Sequence, residues 1–228
     1  MPTPAELEAL LLSLRVATVA VLGALPLAIA VAWLLARRDF PGRVLLDGLV
    51  HLPLILPPVV VGYLLLLSFG TRTPLGSLLN DWFGLRLVFH WSGAALAAAI
   101  ISFPFQVRAI RLAMEAIDPQ LHEVAETLGA GPRDRFLTIT LPLALPGVLA
   151  GAITAFAASL GEFGAIITFV SNVPGETRTL PLAIYTALQS PDGEAMAARL
   201  AGLSIALALA GLIGSELAAR RLRRMTAS

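Results

Sequence analysis

Glu162 is the one carboxylate set inside a long apolar run, in Ser159-Leu-Gly-Glu-Phe-Gly164. An ionisable group at that depth costs a few kcal/mol on insertion scales, so it is either functional or an acceptor that holds the backbone in shape. It has no acid, base or metal-binding neighbour with which to build a hydrolytic centre. His51, His90 and His122 lie in different segments without ligand spacing, and cysteine is absent, so neither a metal site nor a disulfide is expected. All the basic residues are arginine. The phosphate-cradling loop of nucleotide hydrolases needs a lysine, so this chain cannot hydrolyse ATP alone, and no cofactor is expected in it.

The other chemically distinctive stretch runs from Asp118 to Gly147, a charged unit between two apolar runs. Asp118-Pro119 is a helix start, with a carboxylate to accept orphan N–H groups and a proline where its missing donor costs nothing. Leu121, Val124, Ala125 and Leu128 recur at helical spacing and form one apolar stripe, while His122, Glu123, Glu126 and Thr127 take the other faces. Gly129 supplies the C-cap. Gly131-Pro132 then breaks the chain before a second short piece, Arg133 to Thr140, and Pro142 and Pro146 mark entry into the next apolar run. The pattern predicts two short helices at an angle, in contact with water or a soluble partner.

The elements that carry these residues are membrane spans. Hydrophobic residues make up 57% of the 228 and charged ones 14%, and the mean hydropathy is +0.83, which excludes an ordinary soluble domain. Five runs of about twenty residues can cross a hydrocarbon core: 16–36, 47–69, 91–112, 143–170 and 197–219. They form a single transmembrane domain over 1–228. Arg37, Arg38 and Arg43 follow the first run, Arg108, Arg111, Arg133 and Arg135 the third, and Arg220, Arg221, Arg223 and Arg224 the fifth. The positive-inside rule makes these flanks cytoplasmic, which puts the N-terminus outside and the C-terminus inside. The net charge of +1 is thus an orientation signal and gives no reason to expect nucleic acid. With its positive flank after the first apolar run, that run reads as a retained anchor.

Two spans are irregular. Span two carries Pro53, Pro57 and Pro58, each of which removes a backbone donor, so a bent or broken helix is expected. Irregular backbone at membrane depth lines a path or gate, or else is a packing kink. Span four carries Gly147, Gly151, Ala155, Ala158, Gly161 and Gly164, spacing that lets another backbone approach closely. On the outer side, residues 71–90 read as a polar loop containing Arg72, Asn80, Asp81, Trp82 and Arg86. Residues 171–178 read as a second loop, with Asn172, Pro174, Gly175, Glu176 and Arg178. The segment 179–188 is too short to span and reads as a re-entrant or surface helix.

Glu123-Val-Ala-Glu-Thr-Leu-Gly129, followed by Ile139-Thr-Leu-Pro142, resembles the cytoplasmic loop signature of ABC importer permeases; only Val124 departs, where the pattern has alanine. Phe40-Pro-Gly, the run Asp47 to Tyr63, Ser102-Phe-Pro-Phe, Gly161-Glu-Phe-Gly-Ala and the run Val170 to Arg178 resemble the permeases of molybdate transport within that family. The resemblance covers essentially the whole chain. It implies an all-α membrane protein with the type I ABC importer permease fold in a bacterial cytoplasmic membrane, surrounded by lipid. The implied partners are a second copy, two cytoplasmic ATPase subunits that hold ATP and magnesium, and a periplasmic or extracellular oxyanion-binding protein. Tungstate or sulfate is the alternative cargo, and a secondary transporter or channel the alternative class.

By the same resemblance Leu121, Glu123, Val124, Ala125, Glu126, Thr127, Leu128, Gly129, Ala130 and Arg133, within loop 118–142, are the ATPase-coupling residues. Pro57, Pro58, Ser102, Ser159, Glu162, Phe163, Gly164 and Thr168 are candidates for the translocation path or gate. A dianion crossing the membrane needs hydroxyl or amide donors, which Ser102, Ser159 and Thr168 can supply, whereas an ionised Glu162 facing it would repel it. Arg72, Asp81, Asn172, Pro174, Gly175, Glu176 and Arg178 are candidates for contact with the binding protein.

Overall fold

A computed structural model describes the backbone of residues 3–226 and the side chains of residues 3–211. Arg220, Arg221, Arg223 and Arg224 therefore lie outside the residues whose side chains are described. The described residues are helical throughout, with α1 (Pro4–Arg37), α2 (Arg43–Ile55), α3 (Pro58–Phe69), α4 (Pro74–Phe83), α5 (Trp91–Glu115), α6 (Pro119–Thr127), α7 (Pro132–Arg135), α8 (Leu141–Leu160), α9 (Gly164–Val170), α10 (Leu180–Leu188) and α11 (Glu194–Thr226). Among the described residues, Pro4–Arg37, Trp91–Glu115, Pro132–Leu160 and Glu194–Gly211 are long and apolar enough to cross a membrane. The pair α2 and α3, bent by 114°, makes a fifth span if counted as one.

α1 begins at Pro4 and not at Val16. Thr3 Oγ1 accepts from the Glu6 N–H and Glu6 Oε2 accepts from the Thr3 N–H, which closes a capping box ahead of the apolar run. The helix is then about 51 Å long at 1.5 Å per residue, well beyond a hydrocarbon core of about 30 Å. Its extra turns are held by protein: Glu6 is buried and accepts from Arg199 Nε at 2.9 Å, and Ser13 Oγ accepts from the Leu180 N–H at 2.7 Å. Ala9 packs with Leu180, Ala183 and Leu200 in a small cluster that joins α1 to α10 and α11.

The core lies where α5 is sandwiched by α1 and α8. Valines, isoleucines and alanines fill it, and close approach depends on glycine. A Cβ on Gly147 would meet Ala113 Cβ at 2.2 Å, and one on Gly151 would meet the Gln106 backbone at 3.1 Å, so α8 packs backbone to backbone on α5. Gln106, fully buried, donates from Nε2 to the Val21 carbonyl at 3.3 Å and ties α5 to α1.

Spans two and four are interrupted, as their prolines and glycines require. α2 ends at Ile55 and α3 starts at Pro58, each proline lacking the N–H that a continuous helix would need. In span four α8 ends at Leu160 and does not continue to Val170; Gly161 to Phe163 separate it from α9. Its start also differs from expectation. The second short piece after Gly131 is not separate: α7 passes through a π-helical turn, Phe136–Thr140, directly into α8, and the Leu141 N–H bonds the Phe136 carbonyl. A widened turn absorbs Pro142 without breaking the helix.

The two ends of the bundle are chemically distinct. At one, the Arg37 guanidinium donates to the Met114 carbonyl at 2.9 Å and Arg111 pairs with Asp47 at 3.1 Å. At the other, the Arg15 guanidinium lies 3.7 Å from the centre of the Trp91 ring. Arg15 and Arg199 thus join Arg72, Arg86 and Arg178 at the end away from residues 118–142.

Candidate functional site

The 118–142 unit is built as an open apolar face on a braced frame. Asp118 caps α6 by accepting from the Gln120 N–H at 2.9 Å. The far end closes in a Schellman motif: the Ala130 N–H bonds the Ala125 carbonyl, the Gly129 N–H bonds the Glu126 carbonyl, and Gly129 has φ +87°. Nothing in α6 is fully buried. Leu121, Val124 and Leu128 are 46%, 57% and 82% exposed, although they form the apolar stripe. A helix whose apolar side faces outward needs a partner to desolvate it.

The frame behind that face uses residues that periodicity did not mark. Arg135 Nη1 pairs with Glu126 Oε2 at 2.5 Å and fixes α6 against α7. His122 Nε2 and Thr140 Oγ1 are 2.9 Å apart, which joins α6 to the π-helical turn and so to α8. Phe136 meets the edge of Trp33 at 6.1 Å between centroids, linking the turn to α1. Glu123, Thr127 and Arg133 stay exposed beside the stripe, Ala125 and Ala130 are half-buried, and Gly129 is exposed. Glu126, by contrast, is engaged within the chain. The partners of His122 and Arg37 lie far away in sequence, so spacing alone carried no signal for them.

The His122 imidazole is held below its ordinary pKa of 6.5, first by burial and then by the positive charges of Arg37 and Arg135. It is neutral at pH 7. Because the folded value is depressed, its contribution to the frame is complete above 6.5 and is lost as pH falls through the lowered value. Cleavage of residues 119–140 by a protease is expected to rise in the natural chain as pH is lowered below the ordinary histidine value and to stay flat in His122→Gln. Identical pH profiles for the two chains would contradict this.

A second constellation lies at membrane depth, where the two helix interruptions meet. A Cβ on Gly164 would sit 2.9 Å from Pro58 Cβ, and one on Gly62 would sit 2.6 Å from the Ala165 carbonyl oxygen and 2.9 Å from Thr168 Cβ. The start of α3 therefore rests on the start of α9. Glu162, 7% exposed, accepts from the Ala165 N–H at 2.7 Å and caps α9 at that junction. Phe163 packs on Tyr185 with centroids 5.1 Å apart.

The candidate donors lie inside helix packing. Ser102 is fully buried and donates to the Ala99 carbonyl, Thr168 donates to the Gly164 carbonyl, and Ser159 is buried with its hydroxyl unpartnered. Pro57 and Pro58 are exposed, as are Val59 and Tyr63.

At the opposite end, segment 171–178 is a knot and not an open loop. Thr177, fully buried, donates to the Ser171 carbonyl and accepts from the Val173 N–H. Arg178 Nε donates to Asn172 Oδ1 at 2.9 Å, while Asn172 Nδ2 donates to Thr186. Asn172 and Arg178 are thus engaged in bracing this segment. Pro174, Gly175 and Glu176 form its exposed tip, with Gly175 beside Glu8 and Glu176 facing His90 at 3.9 Å. Arg72 and Asp81 are exposed at the same end of the bundle.

Residues 24–224 match the family described as "Binding-protein-dependent transport system inner membrane component". The chain is similar to the Molybdenum transport system permease protein ModB of Escherichia coli (strain K12), at 60% identity over 218 residues, which covers 96% of this chain and 95% of that protein. It is 54% identical over 219 residues to the protein of the same name from Haemophilus influenzae (strain ATCC 51907 / DSM 11121 / KW20 / Rd), covering 96% of each. In fold it is similar to a solved bacterial alginate ABC transporter in complex with alginate pentasaccharide-bound periplasmic protein. That likeness has a TM-score of 0.77 at 20% identity over 96% of this chain and 80% of that one, and it concerns the fold alone.

Proposed function

The chain belongs to the family of inner-membrane components of binding-protein-dependent transport systems, and from that membership we propose that it is the membrane permease of a molybdate importer. It is not itself catalytic. The names of the relatives supply the cargo, and tungstate or sulfate remains the competing oxyanion. The observation that carries the mechanism is the continuity from the open stripe of α6 to the capped junction at Glu162. Glu126–Arg135 and His122–Thr140 fasten α6 to a helical stretch, 132–160, that is about 43 Å long and ends at the Gly161 interruption.

A helix seated by its apolar face in a groove of another protein moves with that protein as a rigid body. In this proposal the groove belongs to a cytoplasmic ATPase, which holds ATP and magnesium, and two such subunits serve two copies of the permease. The single carrier path lies on the two-fold axis between the copies. Closure of the ATP-bound subunits draws the paired α6 helices together and opens the outer mouth, where the binding protein delivers its cargo. Hydrolysis relaxes the pair and opens the inner mouth. The arginine-rich end of the bundle is the cytoplasmic one, and Pro174, Gly175, Glu176, Arg72 and Asp81 face the binding protein.

Glu162 belongs to gate architecture in this scheme. An ionised carboxylate facing a dianion would repel it, whereas a carboxylate accepting from the Ala165 N–H stabilises the start of α9. Glu162→Gln keeps an acceptor oxygen and is expected to keep uptake, while Glu162→Leu removes the cap, costs about 1–2 kcal/mol and lowers uptake. Loss of uptake in Glu162→Gln with assembly and ATPase coupling intact would show that the charge itself acts on the cargo.

Cargo is tested by uptake of labelled molybdate into vesicles holding the complete transporter, with unlabelled molybdate, tungstate and sulfate as competitors. The reading expects molybdate to compete at least as well as either. Sulfate displacing molybdate at equal concentration would reassign the cargo and leave the coupling mechanism standing.

A further inference from the structure

Residues 71–90 do not form the polar loop that their Asn80, Asp81 and Arg86 suggested. They fold around α4, capped by Thr73, whose Oγ1 accepts from the Gly76 N–H at 3.1 Å. At about 100° per residue, Leu75, Leu78, Leu79, Trp82 and Phe83 fall within one arc of about 140°. Only the edge of this arc nearest Gly76 turns toward the protein, where Leu79 is half-buried. Gly76 faces α3, so closely that a Cβ there would lie 2.0 Å from the Gly70 carbonyl oxygen. The rest of the arc is left open: Leu75 is 52% exposed, Leu78 45%, Trp82 78% and Phe83 65%.

The chain continues this surface. Leu85 is exposed, and Phe89 is exposed with φ +60°, a left-handed conformation that a bulky residue rarely adopts. That strained turn swings the chain into α5 while leaving the Phe89 ring outward. The polar groups are drawn together elsewhere. Arg86 Nε donates to Asn80 Oδ1, Asn80 Nδ2 donates to Asp81 Oδ1, and Ser92 Oγ donates to the Arg86 carbonyl.

The depth of α4 follows from the helices on either side of it. Arg15 and Arg37 are separated by about 33 Å along α1, close to the thickness of a hydrocarbon core, and Arg15 is stacked on Trp91, the first residue of α5. α4 connects the end of α3 to that level. In the last turns of α3, just before it, Leu64 and Leu67 are exposed as well.

We propose that α4 lies in the plane of the outer membrane interface, with Leu75, Leu78, Trp82 and Phe83 inserted into the boundary between lipid headgroups and acyl chains. A short helix with tryptophan, phenylalanine and leucine on one side and Ser77 and Asp81 on the other suits that boundary, where one side is wet and the other is not. Asp81 then faces water above the membrane. The outer leaflet holds the α3–α5 connection level, independently of which oxyanion is carried.

The absence of native cysteine permits a direct test. Nitroxide labels are attached to Leu78→Cys and Asp81→Cys permeases before their partners are added. The complete transporter is then placed in vesicles of phosphatidylethanolamine and phosphatidylglycerol. Collisions with oxygen, which dissolves in lipid, are compared with those of a water-soluble nickel chelate. Oxygen is expected to dominate at residue 78 and nickel at residue 81, with the ratio differing several-fold between them. Trp82→Cys provides a second reading of the apolar arc and should match residue 78. Nickel-dominated relaxation at all three positions would overturn the proposal. So would shielding of residues 78 and 82 from both reagents, whether constant, as a second copy would cause, or arising only when binding protein is added.

Discussion

Leu128→Asp is expected to release the ATPase from this permease and abolish uptake, while the membrane domain itself stays folded. Leu128 is 82% exposed and makes none of the contacts that fasten α6 to the rest of the chain. Burying a leucine side chain in a groove contributes about 2 kcal/mol, and leaving an unpaired carboxylate in the same groove costs about 3 kcal/mol or more. Together these weaken docking by about a thousandfold or more. Leu128→Ala loses only the burial and should weaken it by about tenfold to thirtyfold. Co-purification of the ATPase, followed by its titration onto the immobilised permease, measures both. Full ATPase binding by Leu128→Asp would show that α6 is not the docking element.

The second large effect is expected at Gly62, and its signature is the opposite. A leucine there must place its Cβ 2.6 Å from the Ala165 carbonyl oxygen and 2.9 Å from Ala165 Cα. Those are backbone atoms that no rotamer change can move, so α3 and α9 must separate at the junction of the two helix interruptions. Overpacking of this kind costs about 1–3 kcal/mol, and the forced shift falls where the gate is proposed. Gly62→Leu should therefore lose transport while still binding the ATPase through α6, with Gly62→Ala intermediate. Vesicle uptake read beside ATPase co-purification separates the two variants. Normal uptake by Gly62→Leu would mean that the α3–α9 contact is incidental to transport.

Much of this was legible in the sequence because it rests on local rules. Pro57-Pro58 cannot continue a helix, and the structure breaks there. The stripe from Leu121 to Leu128 and the Gly129 cap appear as written, because capping and 3.6-residue periodicity act within a few residues. Other features were present but outweighed. Thr3 and Glu6 spell a capping box, yet the apolar count alone placed the start of the first span at Val16. In α4, Thr73-Pro74 and the leucines at 75, 78 and 79 carry a helix signal that the neighbouring polar residues obscured.

The rest is tertiary. Contact between His122 and Thr140, the bond from Asn172 to Thr186 and the seating of Gly164 on Pro58 join residues whose proximity only the completed bundle creates. A π-helical turn at Phe136–Thr140 has no composition that separates it from an α-helix, which is why a break was expected where the chain runs on.

The most direct test of the account is an omission series. Purified permease is placed in vesicles alone, with the ATPase, with the binding protein, and with both plus ATP and magnesium, and labelled molybdate is followed into the lumen. Accumulation is expected only in the complete mixture, and replacing Leu128 by aspartate should return it to the level of permease alone. Concentrative uptake by the permease without its ATPase would contradict the claim that α6 is driven from another chain.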